Sequence, residues 1–174
     1  MKLSHLAKVL ALSCSLTIGA AHAAEQLSKS DMSFMSTAAQ SGQLEIEAST
    51  LARKVATSPE VQSFADRMVT DHTKAAEELK ALAKAKGVKL PVGLSPADEA
   101  KIDALGKLQG EQFDKQYAEQ IGVAAHKKAV TLFKNATQNA KDADVKAYAE
   151  KTLPVLEQHY KMGQEMNDKL QKGQ

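Results

Sequence analysis

Apolar positions recur at steps of three and four along most of this chain, and the pattern resolves into four long amphipathic helices. The clearest runs from Ser58 to Gly87, SPEVQSFADRMVTDHTKAAEELKALAKAKG. Ser58 is a good N-cap, Pro59 suits the first helical position and Glu60 favours the positive helix start. Lys84 and Lys86 occupy the last turn, with Gly87 just past it. Between these ends Val61, Phe64, Ala65, Met68, Ala75, Ala76, Leu79, Leu82 and Ala83 form one stripe. A helix over 31–57 turns Phe34, Ala38, Leu44, Ala48, Leu51, Ala52 and Val55 to one side. One over 111–140 turns Phe113, Tyr117, Ile121, Ala124, Val130 and Phe133 inward, and one over 144–171 does the same with Val145, Ala149, Thr152, Leu156, Met162 and Met166. Pro154 inside the last is expected to kink it. A short capped helix beginning Ser95-Pro96, with Ile102, Leu105 and Leu108 as its buried edge, lies in the connection between the second and third long helices. No strand alternation appears. The expected fold is all-α, a four-helix bundle with a short extra helix in that connection.

The first residues follow another pattern. Lys2 and Lys8 precede an apolar core over 9–18, and Ala21-His22-Ala23 gives an A-x-A site, so 1–23 read as a signal peptide and 24–174 as the mature domain, placed in the periplasm. The apolar run is too short to span a membrane, and Ala11 stands where a lipobox before Cys14 would want Leu. Removing 1–23 takes away two lysines and no acids, so the formal charge falls from +2 to zero. With no basic patch interleaved with aromatics, this argues against a nucleic-acid partner. The single cysteine leaves with the leader, and the mature chain is held by its core rather than by a disulfide.

Each long helix carries one ionisable residue on its apolar face near its midpoint: Glu45, His72, His126 and His159. Midpoints of bundled helices share one level whatever the loop topology, so the four are expected in one core layer. Two readings follow. One is a hydrogen-bonded polar layer in which Asp71, Asp114, Tyr117 or water satisfies the ring nitrogens. The other is a site for one transition-metal ion, zinc, iron, manganese or copper, with Glu45, His72, His126 and His159 as ligands. Met68 and Met162, each one turn from a histidine, would suit copper but read better as core filler. The run Lys80, Lys84, Lys86, Lys89 reads as a solvated face. No nucleophile–base pair, phosphate-binding glycine loop or CxxCH haem attachment is present, so neither haem nor nucleotide is expected.

LEIEASTLA (44–52), SPEVQSFADRMVTDHTKAAEEL (58–79), FDKQY (113–117) with His126, and LPVLEQHY (153–160) resemble the domain-of-unknown-function 4142 family. Its members are exported bacterial proteins, often given an outer-membrane label, placed among ferritin-like four-helix bundles. The resemblance implies a ferritin-like arrangement in which 88–110 carries the chain from the first helix pair to the second. It implies no activity, and neither barrel alternation nor a span supports the outer-membrane label. Di-iron bundles place Glu three residues before each bridging histidine. Val69, Val123 and Leu156 stand there instead, so the layer is expected to hold one metal at most. Functions from three classes stay open: an envelope or stress-related binding protein, a metal-dependent oxidoreductase, and a purely structural or partner-binding bundle.

Overall fold

The computed structural model describes residues 27–173. The expected signal peptide, its cleavage site and Cys14 lie outside the described residues. Helices α1 (Lys29–Val55), α2 (Pro59–Ala85), α3 (Pro96–Gly106), α4 (Gly110–Tyr117), α5 (His126–Asn139) and α6 (Ala143–Gln171) make up the fold, with a π-helical segment, Ala118–Ala125, joining α4 to α5. No strand occurs among the described residues, and none of their helices is long and apolar enough to cross a membrane.

Local chemistry sets the helix ends. The Ser28, Ser58 and Ser95 hydroxyls accept from the backbone N–H three residues on, and the Asp142 carboxylate accepts from Asp144 and Val145. α2 stops at Gly87, whose φ of 67° is left-handed; Val88 N–H donates back to Ala83 O and Gly87 N–H to Lys84 O, a Schellman closure.

The bundle has the expected ferritin-like arrangement. α1 packs on α2, α2 on α6, α6 on α5 and the π segment, and these on α1. The connection from Lys86 to Gln109, with α3 inside it, spans the bundle's length between the two pairs. Two buried aspartates tie the pairs together. Asp31, on α1, accepts from the N–H groups of Lys141 and Asp142 in the turn between α5 and α6. Asp114, on α4, accepts from Thr57 N–H, Thr57 Oγ1 and Ser58 N–H in the turn between α1 and α2. Each carboxylate thereby satisfies donors that a tight turn would otherwise leave exposed or orphaned. Lys86 is not part of a free solvated face: it pairs with Asp142 at 2.8 Å and Asp144 at 2.6 Å, which joins the end of α2 to the start of α6.

The third long helix departs from expectation. It is not one α-helix over 111–140 but α4, the π segment and α5 in succession. The buried positions run Phe113, Tyr117, Ile121, His126, Val130 and Phe133, with a step of five between Ile121 and His126. A continuous α-helix would set those two residues far apart around its axis; the wider π turn brings both to the core. The same rephasing turns Ala124, expected inside, out to solvent. Val55 is also exposed, because α1 ends there and Ala56 takes the buried place. α6 continues unbroken through Pro154, whose ring is exposed.

Two apolar clusters fill the two ends of the bundle. One gathers Phe34, Met35, Leu79, Phe133, Val145 and Tyr148, with Phe34 set edge-on against Phe133 at 5.0 Å. The other gathers Val61, Phe64, Met68, Leu105, Phe113, Tyr117 and Ile121. Along α2, the chain leaves the second cluster after Met68 and joins the first at Leu79; the residue between them that is buried and polar is His72. The third and fourth long helices change cluster in the same way at His126 and His159, and on α1 the change falls between Ala38 and Leu44, next to Glu45.

Candidate metal centre

The layer between the clusters unites all four expected residues. Glu45 and His72 are 1% and 5% exposed, and His126 and His159 are sealed from solvent. The three imidazoles stand with ring centroids 5.3 to 5.6 Å apart. One nitrogen from each ring lies within 4.8 Å of the other two. The sequence holds five histidines, two of them at His5 and His22; all the rest meet here.

Each ring has one nitrogen engaged from outside the triangle. His126 Nδ1 is 2.8 Å from the Ile121 carbonyl oxygen, and the acceptor requires that Nδ1 carry the proton. The π segment makes this contact possible. The His126 backbone N–H bonds to Val123 O, and the Ile121 carbonyl five residues back turns to the ring. His159 Nε2 donates to Asp71 Oδ2 at 2.9 Å. Arg67 Nε lies 3.4 Å from that same oxygen, and Arg67 Nη2 donates to Gln158 Oε1 at 3.2 Å. His72 Nδ1 lies 3.2 Å from Glu45 Oε2, while Glu45 Oε1 is 3.8 Å from His126 Nδ1.

The opposite nitrogens, His72 Nε2, His126 Nε2 and His159 Nδ1, have no protein partner among the described residues, and neither does Glu45 Oε1. Each such buried group costs about 1–3 kcal/mol when left unpaired. Of the partners expected for a purely hydrogen-bonded layer, Asp71 takes that part. Asp114 serves the α1–α2 turn instead, and the Tyr117 hydroxyl pairs with Ser49 Oγ at 2.8 Å.

Burial sets the protonation states. Desolvation holds His72 well below the ordinary imidazole range, helped by His126 and His159. Desolvation also lowers His126 to about 4 against the help of Ile121 O, and lowers His159 against the pull of Asp71. All three rings are therefore neutral near pH 7, the state in which imidazole offers a lone pair. Burial pushes the Glu45 carboxyl up to about 8. A cation among the rings would reverse that shift by favouring carboxylate.

Two residues that matter to this geometry escaped the sequence reading. Gly122, in the π segment, and Gly163, on α6, bring their backbones into contact. A Cβ on Gly163 would collide with the Gly122 carbonyl, and one on Gly122 would stand 3.3 Å from Gly163 Cα. Glycine inside a helix costs up to about 1 kcal/mol relative to alanine, which is itself a signal that packing needs it there. Gly122 lies four residues before His126 and Gly163 four after His159, so this contact sets the spacing of the two elements that carry those rings.

The sequence profile of the domain of unknown function DUF4142 matches residues 17–166. The chain belongs to the DUF4142 family. No curated protein matches this DUF4142 chain. Among solved structures, a DUF305 fragment from Deinococcus radiodurans superposes with a TM-score of 0.72 at 14% identity, covering 82% of this chain and 98% of that one. CopM in its Cu(II)-bound form superposes at 0.67 and 19% identity, over 79% of this chain and 95% of that one. Its Cu(I)-bound form gives 0.66 and 21% identity, over 78% and 93%. At these identities the likeness is one of fold.

Proposed function

We propose that the protein is an exported envelope protein that carries one transition-metal ion in its central layer, held by His72 Nε2, His126 Nε2 and His159 Nδ1. The observation that carries this reading is that these three nitrogens, each lacking a protein partner among the described residues, belong to neutral rings brought together in the buried core. A layer built only to be hydrogen-bonded would leave no such set of acceptors facing inward. The outer partners fit the same reading: a carboxylate or carbonyl on the far nitrogen of a ligating imidazole fixes its tautomer and orientation. Asp71, Ile121 O and Glu45 stand in that position for His159, His126 and His72. Glu45 thus supports His72 from behind, and its free Oε1 remains available to a cation.

Three imidazoles suit zinc, copper, iron or manganese, with borderline-soft ions favoured over hard ones. Copper comes first, because two of the solved structures similar in fold are copper-bound forms of one protein, CopM. Carriage is favoured over catalysis by the size of the opening: the cavity reaching Glu45 and His72 measures about 30 Å³, room for one water and too small for a substrate. Export rests on the leader-like residues 1–23, and mass spectrometry of the native protein should find a chain beginning at Ala24. The metal reading is tested by titrating chelator-treated protein with Cu(II) and Zn(II) and measuring bound metal. One equivalent, lost in His126→Ala, is expected. No retained metal, or retention unchanged in that variant, would overturn it.

A further inference from the structure

A sealed metal layer needs a way in, and the seam between α1 and α2 differs from the other seams around it. The cavity that touches Glu45 and His72 is bounded toward the surface by Ala39, Ser41 and Gly42 of α1 and by Ala75 and Ala76 of α2, all half-buried. None of these five half-buried lining residues carries a side chain larger than a hydroxymethyl; the larger lining residues, Leu79, Phe133, Tyr148 and Leu156, are buried. At Gly42 an added Cβ would meet nothing within 4 Å among the described residues. Below the wall stands Glu45, almost wholly buried, with Oε1 unpartnered.

We propose that this seam is the passage by which an ion reaches the three imidazoles, with Glu45 Oε1 as its transient ligand on the way. The inference rests on the metal-carrying reading and assigns it a route. A cavity of about 30 Å³ admits one water-sized body, so a hydrated cation must shed most of its shell to enter. Losing that hydration in a dry interior is costly unless an oxygen replaces it. Glu45 supplies one at the inner end of the passage, and the Ser41 hydroxyl, one helical turn before Glu45, supplies another nearer the mouth. The carboxylate then stays against His72 as the ion passes to the nitrogens.

The test compares Gly42→Ala with Gly42→Leu. Both replace glycine by a good helix former, so both make α1 harder to unfold; only leucine fills the mouth. Cu(II) uptake by chelator-treated protein is followed by stopped flow, and Cu(II) release by transfer to excess EDTA. Gly42→Leu should slow both rates by at least about tenfold while the equilibrium affinity stays within about twofold of wild type, because affinity and rates of passage are separable quantities. Gly42→Ala should keep near wild-type rates. Ala76→Leu, on the facing wall, should behave as Gly42→Leu does. Equal slowing by alanine and leucine would mean that entry requires α1 to unfold, and unchanged rates in both leucine variants would mean that the ion enters elsewhere; either overturns the passage while leaving the metal site intact. Binding of neither Cu(II) nor zinc, iron or manganese by wild type would overturn the metal reading and the passage with it.

Discussion

Two helix seams border the same layer of imidazoles and are built in opposite ways. Between the π segment and α6, Gly122 and Gly163 bring backbone against backbone. Between α1 and α2, the half-buried walls are Ala39, Ser41, Gly42, Ala75 and Ala76, yet a cavity remains and an added Cβ at Gly42 would touch nothing among the described residues. Small residues therefore do different work in the two places. In one they let helices close until His126 and His159 are fixed; in the other they leave space beside His72 and Glu45. The contrast suggests a layer clamped on one side and approached from the other.

The most damaging way to break this comparison is Gly163→Ala. Its Cβ would collide with main-chain atoms of Gly122, which cannot rotate away. Overpacking of this kind costs about 1–3 kcal/mol and occasionally more, and it should also spread His126 from His159. Chemical denaturation should report the lost stability and a copper titration the weakened site. Gly122→Ala should cost less, since its nearest contact is the flexible Met166 Cε at 3.0 Å. Equal tolerance of both would show that the seam is looser than described.

Asp71→Asn leaves the clamp in place but removes the carboxylate behind His159. Loss of such an outer partner should weaken metal binding by about 10–100-fold, with the melting point of the metal-free protein little changed. An unchanged affinity would mean that the Asp71 contact does not orient the ring.

The two sides of the layer titrate in opposite senses. The imidazoles are depressed in the folded state, so the unfolded chain binds more protons below about 6.5, and stability falls as pH drops through that value toward about 4. Glu45 is raised from 4.5 to about 8; its contribution is full below 4.5 and is lost as pH climbs to 8. Three rings outweigh one carboxyl on the acid side, and Glu45 acts without them on the alkaline side. Denaturation of metal-free protein across pH 4 to 9 should therefore peak near 6.5, with the alkaline decline flattened in Glu45→Gln. A decline that survives in that variant would place its origin outside the layer.

The smallest effect is expected at Gly42→Ala, where no clash offsets the gain in helix propensity. Stability should rise by up to about 1 kcal/mol, readable as a higher denaturation midpoint; a loss would mean that the open seam is filled in solution.

Most of the fold, and the membership of the central layer, could be read from side-chain period alone. Ser58, Pro59, Gly87 and Ser95 act locally, so a single sequence displays them. The four polar intrusions could be found because an ionisable residue on an apolar stripe must meet others of its kind or be costly. The π segment could not be read from an assumed α-helical period, although its trace was present: Ile121 and His126 are both core-type residues five apart. Asp31 and Asp114 were illegible for another reason. Their partners lie about a hundred and about sixty residues away in sequence, across a fold that has to be assembled before the contact exists.

The central claim is that the three inward nitrogens wait for one ion, and the most direct test is the melting temperature of metal-free protein with and without Cu(II). With free Cu(II) at about 100 times its dissociation constant, binding to the folded state alone adds about 2.7 kcal/mol. For a domain of this size that is a rise of about 5–10 °C, and it should vanish in His126→Ala. No rise with Cu(II), nor with zinc, iron or manganese, would contradict the account, as would a rise that persists in His126→Ala.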